Sequence, residues 1–207
     1  VFQSVNHGDI SGRVSLGATQ TPFASDRTAM GDTGIVPVSL FWNFGKFHIN
    51  AYESITMPTG SYDRNRPVNA GLNYWSFDTT LAATYFDEEK GHEISAAIGH
   101  IYNTENDDTN YQTGQEFHLD YMLNQFLSET FAFGLHGFYY KQITGDSGSG
   151  AILGSFKGRA AGIGPAWMWI PEIKNRDIAV SAKWIHEFDA KHRLEGDHLF
   201  LNFTMAF

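Results

Sequence analysis

The sequence predicts an all-β fold, a transmembrane antiparallel up-and-down β-barrel forming one domain over residues 1–207. Three observations predict it. Alternating apolar and polar segments near ten residues long recur along the chain; that length crosses a bilayer at a tilt of about 45°, whereas strands of soluble sheets usually run about 5–6 residues. The joins between segments are alternately long and short, the asymmetry of outer-membrane barrels. Aromatic residues collect at segment ends: Trp42, Phe44, Tyr85, Phe86, Trp167, Trp169 and Phe207 at one, Tyr102, Tyr139 and Tyr140 at the other, as two interfacial girdles require.

Taken in order, the segments begin with a first candidate at 11–19, followed by 36–44 (VPVSLFWNF) and 46–57 (KFHINAYESITM). In the last of these Glu53 shares a side with Phe47, Ile49 and Ile55, so a bulge or a different register is expected there. Segments 79–86 (TLAATYFD) and 92–103 (HEISAAIGHIYN) come next. In 116–126, Phe117, Leu119, Tyr121 and Leu123 oppose His118, Asp120, Met122 and Asn124. Segments 130–142 and 157–170 precede 177–188, where Ile178, Val180, Ala182 and Trp184 oppose Ser181, Lys183 and Glu187. In 198–207, Leu199, Leu201, Phe203, Met205 and Phe207 form one side, against His198, Asn202, Thr204 and Ala206. Alternation alone fits a soluble barrel with apolar residues inside or a membrane barrel with them outside. The girdles favour the membrane, with Phe207 as an anchor at the periplasmic interface.

If the last strand descends to the periplasm, the joins at 58–78, 104–115, 143–156 and 189–197 lie outside, and the short ones at Gly45-Lys46, 87–91, 127–129 and 171–176 lie inside. The external loop 57–78 is unusually long and carries Tyr62, Trp75 and Phe77. Burying Trp75 and Phe77 in the barrel mouth would remove them from water, with Arg64 and Arg66 paired to lumen carboxylates such as Asp120 or Glu187.

Composition excludes other classes. With 42% hydrophobic and 18% charged residues the chain is not disordered. A net charge of −9, with scattered Lys and Arg, leaves no basic stripe for nucleic acid. No apolar run approaches the roughly 20 residues of a membrane helix. The absence of Cys fits an oxidising compartment. The opening VFQSVNHGDI is not a signal peptide, which leaves the chain processed, a fragment or never exported.

Four blocks, PTGSYDRNRPVNAGLNYWSFD at 58–78, YQTGQEFHLDY at 111–121, GDSGSGAILGSFKGRAAGIGP at 145–165 and HEFDAKHRLEGD at 186–197, resemble the outer-membrane channel family of the MetA-pathway of phenol degradation. The resemblance runs from about Gly31 to Phe207, with Tyr74 and Thr79 standing where the loop motif of the family carries Arg and Pro. It implies a monomeric twelve-stranded barrel in the bacterial outer membrane that takes up small hydrophobic or aromatic compounds. Ten strands are readable; a first pair would lie in residues 1–10 or outside this chain. The carboxy-terminal pattern also resembles the signal read by the barrel-assembly machinery, and the apolar face implies contact with outer-membrane lipid and lipopolysaccharide.

The expected pore-lining or constriction residues are His118, Asp120, His136, Arg159, Lys183 and Glu187 from strands, and Arg64, Arg66, Asn69, Asn73 and Trp75 from the loop. No catalytic residue, cofactor or metal is expected. GDSG at 145–148 imitates a protease nucleophile turn, and Ser147, His136 and Asp146 could be forced into a triad, but Gly, Asp and Ser are ordinary hairpin-loop residues. The nine His include no pair at metal-ligand spacing with a carboxylate. NTENDDTN at 103–110 lacks the ordered spacing of a calcium loop, and GRAAGIG at 158–164 lacks the Lys-Ser/Thr end of a phosphate loop. The alternatives are a barrel enzyme hydrolysing lipid or peptide and a soluble ligand-binding barrel.

Overall fold

A computed structural model describes residues 1–16, 19–173 and 176–205. Its elements are β1 (Phe2–Leu16), β2 (Thr19–Phe44), β3 (Phe47–Met57), β4 (Ser76–Asp87), β5 (His92–Asn103), β6 (Glu116–Ser128), β7 (Phe131–Gln142), β8 (Arg159–Trp169), β9 (Glu172–Ile173), β10 (Arg176–Lys191) and β11 (Asp197–Met205), with no helix among the described residues. Each strand pairs antiparallel with the next in chain order, except that β8 pairs β10 directly and the short β9 lies against the start of β10. The result is a curled sheet with ten strands on its main path; β1 and β11, at its two ends, are not paired with each other among the described residues.

The six strands β3 to β8 run 11 to 13 residues, long enough to span a bilayer at a tilt. Their bounds follow the alternation closely, and 92–103 is reproduced to the residue. Phe44 faces Phe47 across Gly45 and Lys46, and Gly45 takes φ +63°, the first position of a two-residue hairpin that matches strand twist.

Three expectations are corrected. Residues 11–19 are not one strand: 11–16 complete β1, Thr19 opens β2, and 17–18 lie outside the described residues. The long loop ends at Trp75 because Ser76, Phe77 and Asp78 pair with both neighbours, Phe77 lying opposite Ile55 and Tyr102. The irregularity expected at Glu53 lies on the partner strand, where Val36 and Pro37 occupy the step between Ile35↔Ile55 and Val38↔Glu53. A bulge suits Pro37, which has no N–H to give to a ladder. Phe207 lies outside the described residues.

Burial fixes which face is which. Large apolar side chains in the middle of the sheet are exposed, among them Ile98 (46%), Leu123 (45%) and Phe133 (53%). The opposite, concave face buries small or polar residues instead: Thr80, Asn103, Ala132, Ala160, Ala166 and Glu187. A soluble sheet buries its large apolar side chains; the inverted arrangement is that of a barrel whose convex side meets hydrocarbon.

Candidate functional site

The concave wall is built by alternation across seven strands, β4 to β8, β10 and β11. Register pairs Asp78 toward the β5 step beside Gly99, His118 with Gly99, Asp120 with Phe138, Met122 with His136, and Lys183 with Ala166 and Phe200, all on the inner face. Between β4 and β6, His118 Nδ1 lies 2.8 Å from Asp120 Oδ2 and Nε2 lies 3.1 Å from Asp78 Oδ1. Thr80 Oγ1 donates to the same Asp78 oxygen at 3.0 Å. The imidazole crosses β5 only because residue 99 is Gly: a Cβ there would sit 2.0 Å from His118 Nε2.

Toward the outer rim, Glu187 is 2% exposed and receives Arg193 Nη2 at 3.0 Å and the Gly196 amide at 3.1 Å, with His198 Nε2 also 3.1 Å away. A carboxylate buried so completely is tolerated only when paired and hydrogen-bonded. Arg193 also lies over the Tyr140 ring, 5.3 Å from its centroid, and Tyr140 donates to Glu116 at 2.5 Å. Toward the other end, Asn124 donates to Glu93 and lies 2.9 Å from His136 Nε2. Lys183 has no ion-pair partner among the described residues and packs over Phe200, 4.7 Å from the ring centroid.

Three hollows of about 220 to 280 Å³ run along this wall, sharing Lys183; two share Asp120 and two share Met122 and His136. Their walls mix Phe138, Ile185, Phe200, Met122 and Ala97 with the paired Asp120 and Glu187 and with Lys183. An apolar cavity of about 150 Å³ already holds benzene, so each hollow has room for a single aromatic ring.

Of the expected strand residues, His118, Asp120, His136, Lys183 and Glu187 share the concave wall. Arg159 does not: it stands opposite Lys141 and Lys191 on the convex face and binds Asp189 at 2.6 Å. In 160–164 every side chain is small or apolar, so the sequence offers no polarity from which to orient that segment.

The loop residues act differently from expectation. Arg64 is exposed. Arg66 pairs with Asp63 at 3.5 Å and donates to Ser61, not to Asp120 or Glu187, whose partners lie on their own strands and loops. Asn69 closes a local turn, accepting from the Asp63 amide and donating to the Asp63 and Arg66 carbonyls. Asn73, at φ +63°, donates to Asn106 and Asp108 and ties this loop to 104–115. Trp75 stacks on Phe77 at 6.5 Å, and Phe77 shares the convex face with Tyr102, so both rings lie on that face beside Tyr102. Phe86 reverses the opposite way, facing Glu93 on the inner side and meeting Phe126 at 5.5 Å.

Residues that the sequence did not single out hold the loop. Asp32 accepts from the Gly60 and Leu72 amides, both at 2.8 Å. Arg27 donates to Ser61 and Asn6 to the Ala70 carbonyl. The chain can come this close because a Cβ at Gly60 or Gly71 would lie 2.8 Å or less from Asp32 or the backbone beside it. Burial pushes the Tyr74 and Tyr111 hydroxyls up from their ordinary pKa, so both stay protonated beside the loop contacts.

The residues of the imagined triad are dispersed. Asp146 accepts from Gln142 and the Gly114 amide, Ser147 donates to Gln112, and His136 sits six strand residues below Gln142, about 20 Å at the strand rise. Among the described residues no group of three or more His, Asp or Glu side chains is arranged so that it could hold a metal ion.

An antiparallel sheet with its large apolar residues on the convex side and polar and charged residues on the concave side defines the class: a β-barrel-type fold with inverted faces, as outer-membrane barrels have. The chain belongs to the family described as "Putative MetA-pathway of phenol degradation", whose model matches residues 4–203. Among solved structures it is similar in fold to an outer membrane channel from Pseudomonas putida F1, with a TM-score of 0.71 and 14% identity over 98% of this chain and 83% of that one. No curated protein matches it.

Proposed function

We propose that the chain is an outer-membrane diffusion channel for uptake of small hydrophobic or aromatic molecules, working as a monomer placed by the barrel-assembly machinery. The observation that carries the reading is the row of ring-sized hollows along the concave wall, in which apolar side chains alternate with the paired Asp120 and Glu187 and with Lys183, which has no ion-pair partner among the described residues. Family membership supports it. A solute would pass by diffusion, selected by width and by contact with Phe138, Met122 and Phe200, with no bond made or broken. The loop 58–75, fastened by Asp32 and Asn106, would narrow the outer mouth.

The test is planar-bilayer recording of the folded protein. Stable conductance, interrupted by brief blocks when phenol is added and not when glycerol is, is the expected result. A folded protein that never conducts would overturn the reading.

A further inference from the structure

Outside the trough, the convex face carries a row of cations that the channel reading does not use. Lys141 on β7, Arg159 on β8 and Lys191 on β10 stand at one height on three neighbouring strands, Arg159 opposite both lysines. Like charges placed directly across strands repel, and only one carboxylate answers them, Asp189 at 2.6 Å from Arg159. Lys141 and Lys191 are exposed and have no ion pair or side-chain hydrogen bond among the described residues. Arg159 Nε is buried and likewise lacks a partner. One step toward the middle of the sheet, Tyr139 and Phe188 both flank Ala161 on the same face, as aromatic residues do at a headgroup boundary.

We propose that this row binds the phosphate groups of a phosphorylated glycolipid of the outer leaflet, with its acyl chains lying over Tyr139, Phe188 and the apolar face below. The inference rests on the proposed outer-membrane orientation, which sets these strand ends outside. An anion between the three cations relieves their repulsion, and two lysines and a guanidinium suit phosphate oxygens. A free phosphate would satisfy the cations but leave the aromatic and apolar surface uncovered.

The experiment titrates the folded chain, in zwitterionic micelles, with bisphosphorylated lipid A and with lipid A stripped of both phosphates, and reads bound lipid by native mass spectrometry. The wild type should favour the phosphorylated form. The double variant K141Q/K191Q, which removes no ion pair or side-chain hydrogen bond and leaves Arg159 on Asp189, should lose roughly twenty-five-fold in that affinity, since each cation near an anionic headgroup contributes a factor of about five. Equal binding of the two lipids, or an unchanged double variant, would overturn the proposal. So would displacement of the lipid by millimolar inorganic phosphate, which would reveal an anion site alone. Conductance reports on the channel reading separately: its absence alongside phosphate-selective binding would overturn that reading and leave this one standing.

Discussion

His118 is the single side chain that holds two carboxylates, Asp78 and Asp120, on one wall. Replacing it by Ala takes from both their ion-pair partner, so the cation-to-anion permeability ratio should rise, measured as a shift of reversal potential in a KCl gradient. Gly99→Val should shift it the same way, because its side chain takes the space of the imidazole. Reversal potentials unchanged in both variants would show that the clamp does not face the ion path. A pH effect belongs to the turn on the opposite side. Lys46 lies 2.9 Å from Asp87, and that hydrogen bond holds its pKa above the ordinary 10.5. A raised pKa means stability that is full below 10.5 and lost as pH rises through the higher folded value. The urea-midpoint difference between wild type and Lys46→Met should therefore be constant from about pH 5 to about pH 10, shrink above that, and shrink in acid as Asp87, held down to about 2 by the same bond, takes up its proton. A difference growing above about pH 10 would reverse the assignment. At this scale the sequence revealed the polar side of β6, since His118 and Asp120 alternate with apolar neighbours. It could not reveal Asp78, which joins them only through the register of two ladders.

Strands were legible because each turns one face to hydrocarbon, so the period of two is unmasked over ten residues or more. Where that condition lapses the reading failed. β2 runs 26 residues, of which 33–44 pair with β3 and 19–34 with β1, and irregular steps at Val36-Pro37 and opposite Ser4 break the alternation. The loop 58–75 was legible as long and structured, but its fastening was not, because Asp32 and Asn106 bind its backbone from segments distant in the sequence. Asp32→Ala removes the acceptor of two loop amides. It should loosen the loop, raise single-channel conductance and increase open-channel noise, and shortening residues 61–73 to a Gly-Ser turn should raise conductance several-fold. Arg64→Ala, at an exposed position, should change neither. Conductance identical in all three folded variants would place the loop away from the pore.

The whole molecule stands or falls on the inversion of inside and outside, and two adjacent residues test it. Ala97 and Ile98 lie at the middle of β5; Ala97 faces the trough with Ala82 and Asp120, while Ile98 faces outward with Leu81 and Leu119. In a soluble barrel, Ile98→Arg would be a mild surface change and Ala97→Arg a buried charge. In a membrane barrel the ranking reverses. Arg at the lipid-facing midplane costs about 2–4 kcal/mol, whereas Arg in the trough finds water and the free oxygen of Asp120. Denaturant titrations of the protein in lipid vesicles should therefore show Ile98→Arg destabilised by about that amount and Ala97→Arg nearly as stable as wild type but less conductive, since its side chain enters the hollow that residue 97 lines. The same pair in detergent-free buffer supplies the opposite arm: a chain that stays folded and monomeric there, with Ala97→Arg the weaker variant, would return the large exposed side chains of β5, β6 and β7 to water and remove the physical basis for a membrane channel.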